Sequence, residues 1–250
     1  MTIDSYKDFV LGLESVEDSY IRDLRNQNSV DERSWGRKVI ASFKDFVNKL
    51  VAELTKFIDR TKEAARMNFR KMAVKSDMKT MLKNANNKFG KDATGINIEC
   101  PDVGRYASEV QKASDKVWKA ADKMMKRNYV DINQIDNDLE AFDHTFTEAW
   151  EAINTAANRR TVMSIESFRA ICENEIKGDS IVSRVVSDSI HKMKKAEIDF
   201  KYLESRRDSM DTNRIVPKKL NALQRVMARI AKFCGAIWKG FLTITCYLTA

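Results

Sequence analysis

Apolar residues recur at alternating spacings of three and four in six separate segments, and this repeat confines the chain to helices. The first segment runs from Ile3 to Leu24, broken only by Glu17, and the second from Ile40 to Ala64. The third runs from Val103 to Met124, the fourth from Ile132 to Ala156 and the fifth from Val182 to Leu203. A sixth takes in Leu220, Leu223, Met227, Ile230, Cys234, Ile237, Phe241, Ile244 and Leu248. A spacing of about 3.5 residues keeps each stripe facing a partner as helices wind left-handedly around one another. Chain breakers are scarce, with two prolines and eight glycines in 250 residues. A strand-rich fold would need a turn about every 8–12 residues. The predicted fold is therefore all-α: an elongated, antiparallel, coiled-coil-like bundle of six or seven helices, prone to self-association.

Punctuation divides the chain into four parts. Residues 1–88 form an N-terminal helical region, and Arg37 to Phe89 contain neither glycine nor proline. One unbroken helix there would span about 75–80 Å at ~1.5 Å per residue, so either the molecule is long or the helix breaks near Ser76 and Asp77. Residues 89–104, with Gly90, Gly95, Pro101 and Gly104, read as a linker, and residues 105–211 as a second bundle region. Asp131, with Gln134 three residues on, predicts a capped helix start, as does Asp179 or Ser180 after Gly178. About four residues join the third and fourth segments, which are therefore expected to pack as antiparallel neighbours with lysines of one near acids of the other. Residues 212–250 form a tail whose helix is expected to begin at Pro217. Alternating threonines leave a short strand at Phe241–Ala250 as an alternative.

Charge is concentrated in that tail. It holds no acid after Asp211 but seven basic residues, whereas residues 1–211 hold 37 basic and 36 acidic side chains. Arg225, Arg229, Lys232 and Lys239 fall on one side of a helix, opposite the apolar stripe. With Lys218, Lys219 and the adjacent Trp238 they form a candidate surface for an anionic partner or membrane interface. The nine stripe residues would exceed the apolar patch a soluble monomer tolerates, so lipid or an oligomer core is expected to cover them.

Other clusters have plainer explanations. Lys71, Lys75, Lys79 and Lys83 form an i, i+4 ladder, and Lys112, Lys116, Lys119, Lys123 and Lys126 form another. Both could contact phosphates, and both suit a solvated face beside a core stripe. Asn128 to Asn158 carry no Lys or Arg, and Asp136, Asp138 and Glu140 are close enough together to raise a metal site. They lack the glycine and terminal glutamate of a calcium loop, and an acidic helix packing beside a basic one accounts for them better. His144, flanked by Glu140 and Glu148, falls at an outward position, with no HExxH and no second Glu-x-x-His. Neither a P-loop nor a GxGxxG occurs.

The chain thus offers no catalytic residues, no metal or cofactor site and no site for a small-molecule substrate. Four scattered cysteines read as free thiols, and the first ten residues lack a secretory pattern. No segment reaches the roughly 18 apolar residues of a membrane span. The expected protein is non-enzymatic, a structural or interaction component located in the cytoplasm or within a larger assembly, with peripheral membrane attachment as a variant. Its composition suits a phage or viral accessory component. The alternative is a nucleic-acid-associated protein that contacts phosphates through the lysine ladders and the tail.

Overall fold

The computed structural model describes residues 2–27, 32–75, 97–164, 167, 170–171, 180–195 and 212–246. Among them are six helices and one small sheet, so the all-α prediction holds. The helices are α1 (Thr2–Gln27), α2 (Glu32–Lys75), α3 (Val103–Lys126), α4 (Ile132–Ala157), α5 (Ile181–Lys194) and α6 (Thr212–Cys246). The α2 helix is 44 residues long, about 66 Å at ~1.5 Å per residue. Ser76 and Asp77, the expected break, lie outside the described residues.

Caps fall where short polar side chains meet orphan backbone donors. Asp102 accepts from Arg105 N and opens α3 one residue ahead of Val103, so this helix begins inside the expected linker. Asp131 caps α4 by accepting from Asn133 N, and Ser180 caps α5 by accepting from Ser183 N. At the tail the expected boundary moves: α6 begins at Thr212 and carries Pro217 in its second turn. A proline there forfeits one early backbone bond, a loss the burial of the following turns outweighs. Phe241 to Cys246 is helical, which removes the strand alternative there, while residues 247–250 lie outside the described residues.

The sheet lies instead at either end of the α3–α4 hairpin. Strand β1 (Asn97–Pro101) precedes α3, and β2 (Arg160–Ser164) follows α4. They pair antiparallel, from Asn97 opposite Ser164 to Pro101 opposite Arg160. Asp102 N donates to Arg159 O at 3.1 Å and closes the base of the hairpin. As expected, α3 and α4 are antiparallel neighbours, and Lys123 of α3 meets Asp138 of α4 at 2.9 Å.

Side-chain pairings give five of the helices a direction. On α1 and α2, Phe9 stacks on Phe57 and Tyr20 packs on Phe46, so these two run oppositely. On α6, Lys232 reaches Glu17 and Lys239 lies over Tyr6, so α6 opposes α1. Tyr106 donates to Ile237 O, and Lys219 to Met125 O, so α6 also opposes α3. Lys218 with Asp136 and Arg229 with Asp143 make α6 parallel to α4. Helices α1 and α3 thus run one way and α2, α4 and α6 the other, with α6 as the axis.

The α6 helix packs against all five other helices. Around it α1 touches α2, α2 touches α5, α5 touches α3 and α3 touches α4, while α4 and α1 make no comparable contact. Among the described residues the ring is open along that one seam. Residues of the tail stripe from Leu220 to Ile244 are buried in this core, so the chain itself covers the face expected to need lipid or an oligomer.

Candidate functional site

The basic face of α6 lies along the open seam. Lys218 meets Asp136 of α4 at 2.8 Å, Arg229 meets Asp143 of α4, and Lys232 approaches Glu17 of α1 at 3.4 Å. Two carboxylates of the acidic arm, Asp136 and Asp143, are therefore paired by the basic tail of the same molecule. Glu17, the one break in the first apolar stripe, has its reason here. Arg225, between Lys218 and Arg229, is exposed and belongs to none of the described ion pairs.

Two residues expected at an anionic surface are interior. Trp238 is only 4% exposed, and its indole N–H donates to Thr61 Oγ1 at 2.6 Å. Thr61 in turn donates to the carbonyls of Phe57 and Ile58, so the polar atom on the α2 stripe is satisfied inside the core. Lys219 is 2% exposed; its ammonium donates to Met125 O at 3.1 Å and Arg127 O at 3.0 Å, over the ring of Tyr129. Those carbonyls belong to the last turn and cap of α3, where a cation complements the helix dipole.

Beside Lys219 lies a carboxylate that periodicity alone did not mark as internal. Asp138, 6% exposed, accepts from Lys123 at 2.9 Å, Arg127 at 2.8 Å and Tyr129 at 3.1 Å. Burial alone would raise its pKa, but the three hydrogen bonds and the Lys123 charge outweigh that and hold it below the usual carboxylate value. Its place was legible in principle, since Asp138 lies three residues after Ile135 and four before Phe142, both buried. This leaves Asp136 and Asp138 engaged by different cations, and among the described residues no group of His, Cys, Asp and Glu is arranged to hold a metal.

At the far end of the seam the bundle opens into a cleft of about 310 Å³. Its walls come from α1, β1, α4, β2 and α6, and include Tyr6, Trp150, Asn154, Arg160 and Lys239. The Lys239 ammonium stands 4.5 Å from the centroid of the Tyr6 ring. No described ion pair gives it a carboxylate. A second groove, of about 250 Å³, lies between α2 and α5 over Trp238, with Lys62 above the indole.

The remaining candidates scatter. On α3, Lys112, Lys116, Lys119, Lys123 and Lys126 are exposed along one ridge. Lys71 and Lys75 belong to α2, but the side chains of Lys71, Lys75, Lys79 and Lys83 lie outside the described residues. His144 is exposed and 3.6 Å from Glu148, at the outward position expected. Cys100 and Cys234 are buried free thiols, and burial pushes Cys234 up to about 12. No described helix is long and apolar enough to cross a membrane. Compared with models of known families, with curated proteins and with solved structures, the chain matches none.

Proposed function

We propose that this protein is a non-enzymatic interaction component, a helical bundle that docks an anionic partner along the α1–α4 seam within a larger assembly. The supporting observation is Arg225, exposed midway along that seam with Lys218 and Arg229 half-exposed on either side. A partner would approach the intact bundle, because the apolar stripe of α6 is occupied by the other five helices. Inserting that stripe into a membrane interface would require taking the axial helix out of the core. The contact is thus electrostatic and falls with salt, as attraction between exposed charges does beyond a Debye length.

Heparin chromatography supplies a polyanion probe. Arg225→Glu should elute at distinctly lower salt than wild type while keeping its melting temperature, since Arg225 packs no core. Elution at the same salt would overturn the seam reading.

The nucleic-acid reading draws on the α3 ridge. Lys116 and Lys119 are exposed there, and Lys192 of α5 is anchored 5.4 Å from the Trp118 ring, which adds an exposed cation to the same side. If duplex DNA binds here, Lys116→Gln should reduce the salt slope of binding by about one without changing sequence preference.

A further inference from the structure

We propose that the α1–α4 seam pairs two copies of this chain, the outer face of α1 from each copy seated in the seam of the other. This rests on the seam reading above and names the anionic partner. A helix about 10 Å across has room for about six neighbours of its own width, and α6 has five among the described residues. The place left between α1 and α4 is therefore about one helix wide. Its floor reaches solvent at Arg225 and Thr243, both exposed.

A ridge that suits this groove stands beside it on the same chain. Leu11, Glu14, Asp18 and Ile21 follow the three-four spacing of a helix stripe, and all four are exposed. Leu11 is 62% and Ile21 38% exposed, although α1 already buries another stripe against α2 and α6. Glu14 and Ile21 lie one turn to either side of Glu17, which meets Lys232 of α6, so the exposed stripe borders the seam. Glu14 and Asp18 belong to none of the described ion pairs, and neither does Arg225.

Symmetry selects a second copy as the occupant. A two-fold contact requires a surface that is its own complement. Each copy offers a ridge with two unanswered acids and, next to it, a groove with an unanswered guanidinium. A two-fold axis sets the two α1 helices antiparallel, each over the other's groove. The lengths agree: α1 has 26 residues, about 39 Å, and it forms one wall of the groove along its whole length. Seating the ridge takes Leu11 and Ile21 out of water, toward the half-buried Val10 and Trp150 of the groove walls. Apolar burial then supplies affinity, and the charges fix orientation.

Sedimentation equilibrium of the full chain over a concentration series tests the pairing. The wild type should form dimers and nothing larger, because each contact uses both seams. Arg225→Glu, and separately Glu14→Lys with Asp18→Lys, should each weaken the dimer about tenfold or more, with melting temperature retained, since all three positions are exposed. Combining the three substitutions in one chain restores opposite charges across the contact and should restore the dimer. A wild type that stays monomeric up to about 1 mM overturns the proposal. So do dimers that persist in either charge-reversed chain, or that fail to return in the combined one. The heparin result is read separately: elution that depends on Arg225 in a monomeric protein would overturn this pairing alone and leave the seam reading standing.

Discussion

Asp138 shows how a single side chain can organise the end of a bundle. Its carboxylate is shared by the last turn of α3 through Lys123, by the connecting segment through Arg127 and Tyr129, and by α4, on which it sits. Removing one partner of a buried charged cluster leaves the others unpaired; because Lys123 and Arg127 are partly exposed, we expect Asp138→Asn to cost about 2 kcal/mol. The pH dependence follows from the direction of the shift. The folded carboxyl lies below its unfolded value near 4, so its contribution is complete above that pH and is lost as pH falls through the folded value. Urea unfolding at neutral and acid pH should show the gap between wild type and Asp138→Asn closing as the solution is acidified. At Gly235 the constraint is steric: an added Cβ would overlap the Cε1 edge of the Phe9 ring. Gly235→Ala should therefore destabilise by about 1–3 kcal/mol despite alanine's better helix propensity, as a drop in melting temperature would register.

At the scale of the element, α6 resolves an apparent contradiction between an acid-free helix and a nearly neutral body. Its only exposed described positions are Asn221, Arg225 and Thr243, and its cations from Lys218 on, Arg225 apart, sit half-buried or buried beside acids, carbonyls or rings. The pairs align the helix between α1 and α4 more than they hold it there. Partly exposed ion pairs contribute about 0–1 kcal/mol, far less than burial of the stripe. A double-mutant cycle over Arg229→Gln and Asp143→Asn should give a coupling energy below about 1 kcal/mol, insensitive to repacking of the core. A coupling of several kcal/mol would mean that charge, rather than apolar packing, anchors the helix.

For the whole molecule, the axial position of α6 makes the last segment of the sequence the common partner of every other helix. Its amides are shielded on all sides but one, and native-state hydrogen exchange should find the slowest amides between Leu223 and Ile237. Deleting residues 212–250 should do more than shorten the protein. The five outer helices would each lose their inner face, and cooperative thermal unfolding should disappear along with much of the helical circular dichroism signal. A truncated chain that still melts cooperatively would show the outer helices to be a domain of their own.

Sequence alone determined the helical class, the six stripes that face the core within the described residues, the cap at Asp131 and, as one of two candidates after Gly178, the cap at Ser180, because these depend on local period and on backbone donors a few residues away. It also located the opposed charges of Asn128–Asn158 and the tail, and the α3–α4 hairpin, since a short connection forces neighbours together. What covers the tail stripe was a different kind of question. A stripe at 3.5-residue spacing records that a helix has an inner face but not whether that face meets lipid, another copy or the same chain. That choice depended on how five helices close around a sixth. Tertiary structure likewise turned Trp238 and Lys219 inward, gave Glu17 its cation, and paired β1 with β2 across the α3–α4 hairpin. The cleft at Lys239 draws residues from five elements distributed from Tyr6 to Ile244, and no periodicity within a single element can bring such distant positions onto one surface.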